Sequence, residues 1–283
     1  MEENHFKLQK ISESDLREYY DAFGEWYEQV WNEQIHTGRF DTQKTLEKAI
    51  HDANTFLAEK GEVRPGAQII TVGCGRGGVD RFLAKEHQAL VTGVDLSHKQ
   101  LLAAREKAKK EGLEDKIKYV EGSMEKLPLL NESADYVWAQ KSFFYCNDKE
   151  QTVQEFKRVL RTGGKVIIED TTLEDKIDQL EVAKLLGKRI GAGNLITFGE
   201  YVDLFKRNGF TLLFNENWSQ YLADTYRAII KNIDLNRKEI LKKMIPIYGN
   251  HTSSIDQKFG FPVSLKLAEE GKIGCRVFVF KKE

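Results

Sequence analysis

The sequence predicts an α/β protein built on an open parallel sheet with helices on both faces. From Ala67 to Asp170, apolar runs of strand length alternate with segments of helical periodicity, and strands joined through helices form parallel sheets whose crossovers cover both faces. The first run ends in the glycine cluster Gly73-Cys74-Gly75-Arg76-Gly77-Gly78, the kind of strand-to-helix turn that such sheets place at their ligand-binding edge.

Ahead of the sheet, Leu16, Tyr19, Tyr20, Phe23, Tyr27, Val30 and Trp31 recur at three- and four-residue spacing. They predict an amphipathic helix from Asp15 to about Trp31, capped by Ser14. A second helix is expected from about Asp41 to Lys60, before the Pro65-Gly66 turn. Strand Ala67 to Val72 then leads to a helix from Gly78 to His87, strand ALVTGVDLS and a helix from about His98 to Glu111. Strand IKYVEGS, loop MEKLPLLNES, strand ADYVWAQ and a helix from about Lys149 to Leu160 follow, and after Thr162-Gly163-Gly164 comes strand KVIIED.

Past Asp170 the rhythm breaks into a charged helical stretch to about Arg189, a loop IGAGNLI, a helix from Phe198 to Asn208, strand FTLLFNE, two helices and a last strand CRVFVF. These late helices exceed what sheet crossovers need. Residues 171–195 and 218–270 are therefore read as a helical cap, 1–60 as an amino-terminal lid, 61–170 as the core, and 196–217 with 271–283 as the remainder of its sheet.

At 283 residues the chain is long enough to bury a core without disulfides or metal. Cys74, Cys146 and Cys275 are widely spaced, which suits thiols in a reducing compartment rather than a disulfide framework or zinc site. The formal net charge of -1 gives no pull toward nucleic acid or anionic membrane. Basic residues on the segment Lys99 to Lys110 are balanced by Glu106, Glu111, Glu114 and Asp115. No apolar run approaches a membrane span, and the first residues have no signal-peptide pattern. A cytoplasmic protein without nucleic-acid or membrane partners is expected.

The glycines after the first strand let backbone approach a ligand where a Cβ would collide. Asp95, at the end of the second strand and about twenty residues on, is placed to accept both hydroxyls of a ribose. The pair defines a nucleoside site, and its spacing also fits a nicotinamide dinucleotide or a plain turn with a capping acid.

Five segments in order, VGCGRGG, GVDLS, EGSMEKLP, SADYVWAQKSFFYCND and EFKRVLRTGGKVIIED, resemble the class I S-adenosylmethionine-dependent methyltransferases. Tyr19-Tyr20-Asp21, Trp31, Ile35-His36-Thr37-Gly38 and ITFGEYVDLFKRNGF are similar to the small-molecule members of that family, which act on sarcosine and dimethylglycine, tocopherol precursors, sterols and natural products. The resemblance implies a Rossmann-like, seven-stranded, mostly parallel sheet with an antiparallel last strand. It also implies S-adenosylmethionine as cofactor, no metal, a small-molecule acceptor, and a monomer or homodimer. By the same resemblance Gly73, Cys74 and Gly75 surround the cofactor's methionine moiety, with Thr71 beside them. Asp95 with Leu96 meets the ribose, Ser123 and Met124 the adenine, Tyr20 and His36 form the lid, and Gln100 and Gln140 complete the site.

Two departures bear on chemistry. Thr71 and Ser123 stand where the family commonly carries acids, and a hydroxyl forfeits the strength of a charge-assisted hydrogen bond. The stretch Ser142-Phe143-Phe144-Tyr145-Cys146 lacks the histidine by which O-methylating relatives deprotonate a hydroxyl, which favours a nitrogen or carbon acceptor. Asp170, expected at the carboxyl end of the fifth strand with Glu169 on the opposite face, and Tyr145 are the candidate catalytic residues. Phe143, Phe144 and Trp218 are candidate substrate walls, and His251 is read as solvent-facing. The alternatives are a cyclase of the same fold that uses the cofactor structurally and a non-catalytic binding protein.

Overall fold

The computed structural model describes residues 11–31, 33–42, 44–186, 194–248 and 260–283. His251 and most of the IGAGNLI loop lie outside the described residues. Seven strands form one sheet in the order β3-β2-β1-β4-β5-β7-β6. The strands are β1 (Gln68–Val72), β2 (Leu90–Asp95), β3 (Ile117–Glu121), β4 (Ala134–Gln140), β5 (Leu160–Leu173), β6 (Phe210–Asn217) and β7 (Ile273–Lys282). β1 to β5 pair in parallel, and β7 runs antiparallel to both β5 and β6.

Side chains alternate along each strand, so the two sheet faces bury separate cores. Ile69, Trp138, Ile167, Val277 and Val279 share one core with α1 (Glu13–Val30), α2 (Leu46–Gly61), α3 (Gly78–Glu86) and α4 (His98–Lys110). Ile70, Val137, Val166, Ile168, Phe278 and Phe280 share the other with α5 (Lys149–Val159) and α7 (Phe198–Arg207). α6 (Gln179–Leu186), α8 (Ser219–Tyr248) and α9 (Phe261–Glu269) join the first core, where Trp26 of α1 stacks on Phe261 at 5.9 Å. The apolar face of α1 is thus covered within the chain.

Local chemistry moves some boundaries from the expected places. Ser12, not Ser14, caps α1 by accepting from the Asp15 N–H at 3.1 Å. α2 begins at Leu46 because Thr45 accepts from Lys48 N, while the preceding Asp41 pairs with Arg39 instead of entering the helix. The largest shift is in β5. It continues past Asp170 through the β-branched pair Thr171-Thr172 to Leu173, held by β7 from Arg276 back to Ile273. Asp170 therefore lies inside the strand rather than at its end.

Candidate active site

A cavity opens over the carboxyl ends of the central parallel strands, where open α/β sheets bind ligands. One end lies over β1, β2 and β3 and is lined by Gly73, Cys74, Gly75, Asp95, Leu96, Ser97, Gln100, Ser123 and Met124. Gly73 (φ 64) and Gly75 (φ 54) both adopt left-handed backbone. A Cβ on Gly73 would come within 2.5 Å of Ser142 Cβ, whereas a Cβ on Gly75 would meet nothing within 4 Å, so at Gly75 the left-handed backbone alone calls for glycine. Asp95 anchors this loop: one carboxylate oxygen accepts from Gly75 N at 2.8 Å and the other from Ser97 N at 2.9 Å. Burial pushes the Asp95 carboxyl up from its ordinary value, while these backbone donors pull it down. Gln100 Oε1 is buried without a hydrogen-bond partner, an acceptor left open beside the loop. An open cradle, a two-oxygen carboxylate and an orphan amide oxygen fit the nucleoside and amino-acid portions of S-adenosylmethionine.

α1 closes this end from above. Tyr20 OH and Tyr145 OH are 2.7 Å apart, joining α1 to the loop after β4, and Gln100 Nε2 donates to Tyr20 O at 3.3 Å. The helix also brings acids that single-sequence reading missed. Ser123 Oγ donates to Glu13 Oε1 and Ser97 Oγ donates to Asp21 Oδ1. The carboxylate absent from position 123 is therefore supplied at that hydroxyl by the first turn of α1. The spacing of Ser12 and Glu13 within a cap was the only available signal, and it carried no information about a partner some 110 residues away.

The other end lies over β4 and β5 and is lined by His36, Gln140, Lys141, Phe144, Tyr145, Thr171 and Tyr226. Lys141 Nζ lies 3.1 Å from Glu169 Oε1 and donates to Thr171 Oγ1 at 2.9 Å. Burial pulls the ammonium's pKa down, but Cys275 and Glu169 beside it more than compensate, so it stands above its ordinary value. His36, joined through its backbone oxygen to Trp31 Nε1 at 2.9 Å, is driven down to about 4, chiefly by burial, and is neutral near pH 7. Gln140 is held by Trp138 Nε1 at 2.5 Å and by Asn54 Oδ1 at 3.2 Å. Burial raises the Cys74 thiol well above its ordinary value, which leaves it neutral and unsuited to nucleophilic attack.

Four expected site residues are not on the cavity wall. Thr71 is buried and donates to Asp80 Oδ1 at 2.6 Å, while burial raises that carboxyl to about 7. Phe143 is wholly buried among Phe156, Tyr201 and Phe205 in the second core. Trp218 is wholly buried against Phe56 and Tyr221. Asp170 is fully enclosed, accepting from Phe144 N and Tyr201 OH, both at 2.8 Å, with burial raising its carboxyl to about 7. The alternation of Glu169 and Asp170 is as expected, but their faces are exchanged: Glu169 pairs with the cavity-lining Lys141, and Asp170 faces the second core.

A methyltransferase domain matches residues 70–168. The chain is 27% identical over 238 residues to 27-O-demethylrifamycin SV methyltransferase of Amycolatopsis mediterranei (strain S699), covering 83% of this chain and 88% of that protein. It is 30% identical over 228 residues to the glycine/sarcosine/dimethylglycine N-methyltransferase of Actinopolyspora halophila, covering 79% of this chain but only 40% of that longer protein. The fold matches a Galdieria sulphuraria protein proposed to be a sarcosine dimethylglycine methyltransferase, with TM-score 0.83, 24% identity and coverage of 92% and 98% of the two chains. It matches the [4+2]-cyclase SpnF equally well, with TM-score 0.83, 18% identity and coverage of 96% and 97%. The matched domain and these relatives make the chain similar to the class I S-adenosylmethionine-dependent methyltransferases. The relatives it resembles are named for methylation at oxygen, nitrogen and carbon.

Proposed function

We propose that the protein transfers a methyl group from S-adenosylmethionine to a small organic acceptor, of the kind met in natural-product assembly, enclosed between the α1 lid and the cap helix α8. The observation that carries this reading is one continuous cavity with a nucleoside-type end over β1 to β3 and a chemically distinct polar end over β4 and β5. Gly73, Gly75, Asp95, Leu96, Gln100, Ser123 and Met124 hold the cofactor, joined by Tyr20, Cys74, Gln140 and Glu13. When bound, the cofactor supplies an electrophilic methyl on a sulfonium. The chain's own contribution is to align the acceptor with that methyl and to exclude water. Phe144 and Tyr145, which line the cavity, form part of the acceptor wall, and 171–195 with 218–270 act as the cap.

The preference for nitrogen or carbon rested on the missing histidine in the loop after β4. His36 on the cavity wall removes that ground. The cyclase reading rested on the same gap and on the missing acids, and Glu13 at Ser123 weakens it equally. Among the described residues no helix is long and apolar enough to cross a membrane, and we place the protein in the cytoplasm as a monomer or homodimer. Calorimetry with S-adenosylmethionine and S-adenosylhomocysteine, followed by a screen of phenols, amines and amino acids for S-adenosylhomocysteine release, tests the reading. Cofactor binding with release on an acceptor supports it; no cofactor binding rules it out.

A further inference from the structure

Ion pairs fasten α1 and the turn after it to the glycine loop and to the helices beside it. Glu28 of α1 lies 2.6 Å from Arg76 Nε of the loop and 2.6 Å from Lys107 Nζ of α4. Glu33 lies 2.7 Å from the same Lys107 and pairs with Arg81 of α3. Arg81 closes the ring from inside, since its NH1 donates to Arg76 O at 2.9 Å. The path from Glu28 through Arg76, Arg81, Glu33 and Lys107 back to Glu28 is therefore continuous. Glu28, Glu33 and Arg76 line the cavity, whereas Arg81 is buried behind them, with its Nε donating to Glu111 Oε1 at 3.0 Å. Burial pushes the Glu33 carboxyl up, but Lys107 and Arg81 more than offset it and hold it below its ordinary value, so it is charged near pH 7.

The backbone packs closely around this ring. A Cβ on Gly24, within α1, would come within 2.3 Å of Gln100 Nε2 of α4, and a Cβ on Gly78, at the start of α3, within 2.3 Å of Gln34 Cγ. A glycine inside a helix is destabilising, and at Gly24 it lets α1 lie directly against α4. Gln34 Oε1 accepts in turn from Asn54 Nδ2 of α2 at 2.6 Å. Val79, Phe82 and Leu83 fix α3 in the first core, so the Arg81 guanidinium is carried by a rigid element. Its planar fork offers separate donors to the loop carbonyl and to the Glu33 carboxylate, which a lysine ammonium on a flexible stem does not reproduce.

We propose that Arg81 is a positioning residue for the cofactor site: it holds the glycine loop and the segment at Glu33 and Gln34 to one anchor, so that the ion-pair ring sets how fast S-adenosylhomocysteine leaves. The proposal rests on the methyl-transfer reading above. α1 lifts only if Glu28 parts from Arg76 and Lys107, and Glu33 from Arg81 and Lys107. These pairs are partly buried and hold more firmly than fully exposed ones, yet counterions reach and screen them as the helix begins to move. Release therefore speeds up with ionic strength.

The test follows displacement of S-adenosylhomocysteine from the full-length protein by excess S-adenosylmethionine in a stopped-flow instrument, read by the fluorescence of the cavity-lining Trp31. Sodium chloride is raised from about 0.1 M to about 1 M, which shortens the screening length from about 10 Å to about 3 Å. Wild-type release is expected to accelerate several-fold, and the double variant Glu28→Gln/Glu33→Gln to release fast at both concentrations. Arg81→Lys keeps the charge without the fork and is expected to release roughly two- to tenfold faster than wild type at low salt. Adding Glu33→Gln to it should bring little further gain, because both substitutions break the same link. A residue needed only for folding would lower the melting temperature and leave the release rate and its salt dependence unchanged, and that result overturns the inference. So does wild-type release no more salt-sensitive than that of the Glu28→Gln/Glu33→Gln variant, a comparison that decides the matter even where Arg81→Lys does not fold. Either result leaves methyl transfer standing, whereas failure to bind S-adenosylhomocysteine at all overturns the methyl-transfer reading and this inference with it.

Discussion

Tyr20 of α1 and Tyr145 of the loop after β4 meet hydroxyl to hydroxyl at 2.7 Å, and their rings lie edge to face with centroids 6.0 Å apart. The two side chains come from segments 125 positions apart and both line the cavity, so the contact bridges the site that α1 covers. Replacing Tyr20 with Phe keeps the ring and removes the bridge. A hydrogen bond of this type contributes about 0.5 to 1.5 kcal/mol net. The expected effect is faster release of S-adenosylhomocysteine, by roughly two- to tenfold, with the melting temperature little changed. Stopped-flow release kinetics check it, and an unchanged off-rate removes the latch.

Asp95 has two duties, since the oxygens that would meet a ribose also hold Gly75 N and Ser97 N. Asp95→Ala is expected to weaken cofactor binding by on the order of 1 to 3 kcal/mol. Asp95→Asn keeps one acceptor oxygen and should fall between the two. Calorimetry on all three proteins distinguishes this from a plain capping role, for which affinity would stay flat while stability dropped.

Glu13 is the acid that position 123 lacks. Its carboxylate reaches Ser123 Oγ from the first turn of α1, so Glu13→Gln is expected to cost cofactor affinity by about 1 kcal/mol and to leave the protein folded. The informative comparison is with Glu25→Gln on the same helix, a residue absent from the cavity wall. Equal affinity losses in both variants would mean that only the net charge of the helix matters.

The glycine turn, Asp95 and the seven strands were legible because each rests on local physics: period-two and helical patterning, and the backbone freedom of Gly73 and Gly75 at one junction. The faces of Glu169 and Asp170 were not legible. Both neighbours are buried, so no polar alternation marks the phase; it is set by register with other strands, Glu169 opposite Gln140 of β4 and Asp170 opposite Arg276 of β7. The extension of β5 to Leu173 was hidden for the same reason, since its partner strand lies about a hundred residues later. The motif around His36 marked it as a candidate for the site, and the residue lines the cavity. Its place beside Lys141 on the acceptor side depends on how the segment after α1 crosses the sheet, and so do the contacts of Glu13 and Asp21. Phe143 and Trp218 were misplaced because an aromatic next to a strand end looks the same in sequence whether it faces a cavity or a core.

The buried neutral imidazole of His36 makes a pH prediction whose sign can be worked out. Burial, the largest influence, lowers its pKa from 6.5 to about 4 in the folded state. Between those values the unfolded chain binds a proton that the folded chain does not, so stability rises with pH across the window from about 4 to 6.5 and is flat above it. The full contribution is on the order of 3 kcal/mol, an upper figure because the side chain lines an open cavity. His36→Gln cannot bind that proton in either state. Urea melts of the two proteins at pH 4.5, 5.5 and 7.5 are therefore expected to show the variant gaining on the wild type as pH falls. The difference should close most steeply between the two lower values. A difference independent of pH would mean that His36 keeps an ordinary pKa in the folded protein, exposed to solvent rather than enclosed beneath the lid.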